Sequence, residues 1–272
     1  MAENTTLPTL GYHKIRGLGA PLRMMFYYKS QSFTNVAYGA DVMTTWFKSA
    51  KPQLKEKNAC MNLPYILDGD VVVTQFNTCA LYLGKKLGID VEANFLHNHT
   101  VLDQVMDLRN DLMKIVYPPG ITYGLVKTKD EFPAAAKNHL VRSATDNLAK
   151  LEGFCKGLFM CGPAPQSGDF HVFEMLDEHV SICKSIGEPN ILEGYPKLSA
   201  LYAAMLADPA LTRYFESDFH TKYSQNNPLF CHFTGVGEDL EYGPTVEETI
   251  MFDTGFTLGY HKIRGLGAPL RM

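Results

Sequence analysis

The stretch NLPYILDGDVVVTQFN, Asn62 to Asn77, carries two apolar runs of β-type residues around Asp68-Gly69-Asp70. Tyr65-Ile66-Leu67 and Val71-Val72-Val73-Thr74 read as a β-hairpin, since Gly and Asp tolerate the backbone angles of a tight reversal. A helix from about Gln75 to Leu87 follows. Upstream, Thr9 to Ile15 is a strand that Gly17 and Gly19 end, and Pro21 suits the first turn of a helix running to about Lys29. Thr34 to Tyr38 is a second strand. Asp41 to about Lys51 is a short helix or irregular connection holding the only tryptophan, Trp46, before Pro52.

The resulting order, βαβαββα, fits a small thioredoxin-like sheet of mixed direction with helices packed on it. From Phe95 the apolar period becomes helical. Leu102, Val105, Met106, Leu108, Leu112, Met113 and Val116 suit one long helix ended by Pro118-Pro119-Gly120; Leu140, Ala144, Leu148, Leu151 and Phe154 suit another. Asp169 to about Ile186 and Pro196 to about Ala207 supply two more. The expected organisation is an α/β domain over 9–88, an all-helical domain over 95–229 and a tail over 230–272. The Gly- and acid-rich part of that tail shows little periodicity and suggests no regular structure.

Composition excludes several classes. The 272 residues are 46% hydrophobic, enough for a packed core, and the net charge is −4, from 25 basic against 29 acidic residues with no long run of either sign. Nothing here attracts a nucleic acid. No apolar run approaches the roughly 20 residues of a membrane helix, and MAENTTLP has neither the basic end nor the apolar stretch of a signal peptide. A cytoplasmic protein without membrane contact is expected. The six cysteines are scattered, without zinc-like or dithiol spacing, so no metal is expected. His97 and His99, two apart on a helix, point away from each other.

Three features offer chemistry. Pro64 before a strand is either an ordinary trans proline or a cis one that turns neighbouring N–H and C=O groups toward a cleft, where an extended ligand pairs. Gln75-Phe76-Asn77 opens a helix whose free N–H groups favour an anion such as a carboxylate. Tyr12 ends a strand beside two glycines, where its phenol either packs or donates a hydrogen bond into a cleft. Asp107 and Arg109 on the long helix form a partner-facing polar pair or simply its wet face.

Taken in order, these elements resemble the glutathione transferase family, most closely its mu class, from about Leu10 to Leu229. Leu10-Gly11-Tyr12 with Ile15-Arg16-Gly17-Leu18 resembles the first strand and turn, Asn62-Leu63-Pro64-Tyr65 the cis-proline loop, and Thr74-Gln75 with Asn77 the glutamyl-binding helix start. Gln104 to Asp107 resembles the first helix of the second domain, and Asp169-Phe170 through Asp177 and His179 its buried capping helix. The resemblance implies Tyr12 as the catalytic hydroxyl on the sulfur of glutathione, which is a co-substrate, with no cofactor. It implies further glutathione contacts from His13, Trp46, Lys51, Asn62, Leu63, Pro64, Gln75, the Phe76 backbone and, across a homodimer interface, Asp107. Tyr117 and Asp111 are implied in the pocket of a small apolar electrophile. Departures are Phe76 where the family has serine, His13 where mu enzymes carry tryptophan, and Gln166 where a helix-capping Thr or Ser is expected. They keep a second reading open, a weakly active or inactive binding or structural protein of the same fold.

Thr9 to Met24, TLGYHKIRGLGAPLRM, recurs letter for letter as Thr257 to Met272. The copy duplicates the first strand and its tyrosine, as Tyr260, but no other group of the site. Tyr260 is expected to be inert and the copy to remain loose.

Overall fold

In the computed structural model, residues 6–235 and 242–252 are described. The terminal copy, with Tyr260, lies outside them. The N-terminal part runs β1 (Thr9–His13), α1 (Gly19–Tyr28), β2 (Phe33–Tyr38), a π-type turn (Met43–Ala50) leading into α2 (Lys51–Lys55), β3 (Tyr65–Asp68), β4 (Val71–Thr74) and α3 (Phe76–Lys86). The second part is helical: α4 (Phe95–Val116), α5 (Phe132–His139), α6 (Thr145–Phe154), α7 (Ser167–Ile186), α8 (Pro196–Ala207) and the short α9 (Thr212–Phe215) and α10 (Asp218–Thr221). This is the thioredoxin-like sheet followed by helices that the sequence implies.

The tail departs from expectation. Val246–Ile250 forms β5, and the sheet has five strands in the order β4-β3-β1-β2-β5. β2 lies parallel to β1 on one side and antiparallel to β5 on the other, with Phe33 opposite Ile250 and Ala37 opposite Val246. An edge strand needs only backbone partners on one side, so the β-branched Val246, Thr249 and Ile250 suffice despite the acidic Glu247 and Glu248. Phe252 then enters the core, where its ring meets Tyr27 edge-on at 5.2 Å and Arg213 at 4.3 Å.

α7 is the hub of the helical part. At its start the Asp169 carboxylate accepts from the Gln166 N–H at 2.8 Å, and the Asp169 N–H donates to the Gln166 backbone carbonyl at 2.9 Å. The Gln166 side chain instead accepts from the Val91 N–H at 3.3 Å. From the β1–α1 turn, Arg16 donates to both Glu174 oxygens at 3.0 and 2.8 Å and to Asp177 at 2.6 Å, all three groups buried or nearly so. Removing one member of such a pair strands a buried charge at a cost of about 3–5 kcal/mol. This pairing therefore fixes the turn after Tyr12 against the helices.

A candidate active site at the end of the first strand

Tyr12 sits on β1 opposite Ala37 of β2 and is 5% exposed. Two glycines make room for its ring: a Cβ on Gly19 would lie 2.7 Å from Tyr12 Cδ1, and one on Gly17, whose φ is +36°, would lie 3.0 Å from the hydroxyl. Among the described residues the Tyr12 hydroxyl has no hydrogen-bond partner, which leaves it free for a ligand. His13 stands edge-on to Tyr12 with ring centroids 5.4 Å apart, and burial lowers its pKa to about 4, so it is neutral at physiological pH.

Facing this strand end, the Leu63–Pro64 peptide is cis. The Thr74 hydroxyl holds the loop: it accepts from the Asn62 N–H at 3.0 Å and contacts the carbonyls of Asn62 and Pro64 at 2.8 and 3.2 Å. The N–H and C=O of Leu63 have no partner among the described residues, so an extended peptide can pair with both. Gln75, exposed and at φ +69°, turns the chain sharply into α3. The first helical N–H groups beyond it are free to hold a carboxylate.

Phe76 is buried and meets His171 of α7 edge-on at 4.4 Å. Its ring therefore points into the interface between sheet and helices, and adds no bulk at the helix start; what is lost relative to serine is one hydroxyl. Trp46 is 1% exposed and stacked on Tyr65 at 5.6 Å, so the ring serves mainly as core. Lys51 extends past it, its Nζ 5.9 Å from the Trp46 ring and 5.4 Å from the Phe47 ring, with no ion-pair partner among the described residues.

On α4 the helical period separates two faces. Arg109, Met113 and Tyr117, spaced by four, line a small cavity beside Ile15 and Gly17, as side chains four apart share a face. Asp107 and Asp111 lie on the other face, in an open polar cleft with Asn147 and Lys150 of α6. Asp111 pairs with Lys114 at 2.7 Å and accepts from Asn147 at 3.2 Å. The expectation that Asp111 lines the electrophile pocket is thus corrected: two residues from Arg109 and from Met113, it points away. Asp107 is exposed with no partner among the described residues. Tyr117 is buried, its hydroxyl accepting from the Asn227 N–H at 2.9 Å, and burial raises its pKa, so it stays protonated and can donate.

Sequence reading misses Asn227 and Tyr242, which reach the same space from the chain beyond α10. Tyr242 packs in one cluster with Tyr12 and Ile15. No periodicity marks either residue, since both act from irregular chain. Among the described residues no cluster of His, Cys, Asp or Glu is placed to hold a metal, and no helix is long and apolar enough to cross a membrane.

Residues 121–218 match the family model for the glutathione S-transferase C-terminal domain. Glutathione S-transferase Mu 1 of Oryctolagus cuniculus is 27% identical over 216 residues, 77% of this chain and 90% of the relative. Glutathione S-transferase Mu 3 of Homo sapiens is 25% identical over 224 residues, covering 81% and 92%. Among solved structures, the glutathione S-transferase Blo t 8 superposes with a TM-score of 0.63 at 25% identity, covering 82% of this chain and 98% of that one. A pi-class glutathione S-transferase of Onchocerca volvulus, at 22% identity and a TM-score of 0.64, shares the fold. In sheet, cleft and sequence this chain is similar to glutathione transferases, mu-like at low identity.

Proposed function

We propose that the chain transfers the thiolate of glutathione to small electrophiles, with glutathione as co-substrate and no cofactor. The observation that carries this is the unpartnered Tyr12 hydroxyl, set beside a Leu63 backbone that offers both N–H and C=O. The cysteinyl part of glutathione pairs with Leu63, beside Asn62. Gln75 and the N–H groups opening α3 take the γ-glutamyl carboxylate, and Lys51 takes the glycyl carboxylate beside Trp46. Asp107, exposed on α4, reaches the γ-glutamyl amine of a glutathione bound to the other subunit of a cytoplasmic homodimer.

The chemistry follows from one hydrogen bond. A free thiol has a pKa of about 8.5, so only about 3% is ionised at pH 7. A charge-assisted bond from Tyr12 of about 1.5–3 kcal/mol lowers that by about one to two units and makes about half the sulfur nucleophilic. With an aryl chloride, the thiolate forms the C–S bond, the C–Cl bond breaks, chloride leaves and the thiol proton has already gone to solvent. Tyr117, protonated, donates to the electrophile as negative charge develops. The test is retention on immobilised glutathione together with conjugation of chlorodinitrobenzene. Tyr12→Phe should lower kcat/KM by about 10- to 100-fold while glutathione Kd moves little; equal turnover by wild type and variant would remove Tyr12 from the mechanism.

A further inference from the structure

Two side chains from the chain beyond α10, Asn227 and Tyr242, close the space between Tyr117 and Tyr12. Tyr242 is 8% exposed and packs with Tyr12 and Ile15, against Leu18 and Leu63. Asn227 bridges it to α4: the Asn227 N–H donates to the Tyr117 hydroxyl at 2.9 Å, and its side-chain amide donates to the Tyr242 hydroxyl at 3.3 Å. The Tyr242 hydroxyl donates in turn to the Tyr38 carbonyl at 3.3 Å. A phenol, an amide and a second phenol thus span the space between Tyr117 and Tyr12. The nearest cavity, lined by Ile15, Gly17, Arg109, Met113, Tyr117 and Asn226, has a volume of about 10 Å³. That is room for about one water, whereas a benzene-sized ligand occupies a cavity of about 150 Å³.

Resting on the glutathione reading above, we infer that Asn227 and Tyr242 determine electrophile specificity by occupying the place of the electrophile's ring. An electrophile reaches the sulfur only by replacing the Tyr242 ring against Tyr12 and Ile15. Both hydrogen bonds holding that ring, at 3.3 Å, are longer than the normal range, so they hold it only weakly. Gly243, at φ +49°, adjoins the ring and allows the chain to turn there. Once Tyr242 leaves, the Asn227 amide has lost its acceptor, so an electrophile that supplies one is favoured. The preferred substrate is therefore a flat aromatic of about one ring bearing an acceptor, such as a nitro or carbonyl oxygen, that meets the Asn227 amide and the Tyr117 hydroxyl. Larger ring systems are excluded by the side chain they must displace.

The experiment compares the full-length wild type with Tyr242→Ala and Tyr242→Leu, giving kcat/KM for chlorodinitrobenzene and for the larger chlorodinitronaphthalene, with glutathione Kd by calorimetry. Tyr242→Ala should raise the ratio of naphthalene to benzene turnover at least about tenfold, in line with the value of a few methylene groups in a specificity pocket. Tyr242→Leu should raise it less, and glutathione Kd should change less than about threefold. An unchanged ratio in whichever variant folds, judged by circular dichroism and gel filtration, overturns the inference. So does an equal fall for both substrates accompanied by lost glutathione affinity, which marks a structural role. A wild type that neither binds glutathione nor conjugates either halide overturns the functional reading itself; binding and turnover with a fixed ratio overturn this inference alone.

Discussion

Tyr12 owes its position to residues that carry no chemistry. Gly17 and Gly19 leave space for its ring, and the Arg16 ion pairs fix the turn behind it. These three positions are visible in the sequence as a glycine-rich turn, but their reason is steric and shows only in space. Phe76 makes the complementary point. At the level of sequence it reads as an intrusion into the glutamyl site, yet the ring is buried against His171. Phe76→Ser should therefore destabilise the fold by about 3–5 kcal/mol, the usual cost of truncating a buried aromatic ring. Its gain in glutathione affinity is limited to one hydrogen bond, about tenfold. Thermal unfolding with and without glutathione separates the two effects, and an unchanged Tm would contradict the placement of the ring.

At the scale of elements, α4, α5 and α7 show how far helical period carries. The spacing of apolar residues locates α4, and the resemblance adds roles for Asp107 on it and for Tyr117 just past its end. Which polar residue faces which cleft depends on a rotation of 100° per residue, and Asp111 falls on the wrong side for the role expected of it. Between α5 and α7, His139 and His179 meet in the core with Nε2 atoms 3.0 Å apart; His179 Nδ1 lies 2.6 Å from the Met175 carbonyl and His139 Nδ1 lies 2.7 Å from the Ser143 hydroxyl. These partners make His179 Nδ1 a donor and leave its Nε2 to accept from His139, so an added proton sets two N–H groups against each other. Burial, joined for His139 by its neighbour, lowers the pKa values to about 3 and about 4. Both lie below the unfolded value of about 6.5, so their stabilising contribution is complete above pH 6.5 and is lost as pH falls toward the folded values. Between pH 6.5 and 5 each histidine should remove about 2 kcal/mol. Asp169 and Glu178 act in the opposite sense: burial raises both to about 7, so they contribute most below their unfolded values and lose that contribution as pH rises to 7. Replacing both histidines with glutamine should leave a protein whose urea midpoint falls less, or rises, between pH 7 and 5; a drop equal to that of wild type would contradict the assignment.

At the scale of the whole molecule, the alternation of short β-type runs with helices, followed by long helical periods, was enough to read the two-part architecture. β5 was not legible, because an edge strand of five residues in an acidic, glycine-rich stretch carries almost no local signal. Its pairing with β2 is long-range, as is the approach of Tyr242 to Tyr12 across 230 positions of chain. Most groups expected to hold glutathione flank a regular element that the sequence marks: Tyr12 in β1, Leu63 and Pro64 before β3, Gln75 before α3. Asn227 and Tyr242 were not legible, since they belong to irregular chain positioned by contacts with Tyr117, Tyr12 and the sheet. The central claim concerns the sulfur that the Tyr12 hydroxyl meets. Ultraviolet titration of the thiolate in the glutathione complex tests it directly: bound glutathione should ionise near pH 7, about one to two units below the free thiol, and Tyr12→Phe should return it to about 8.5. Wild type and variant titrating alike, at either value, would contradict the account.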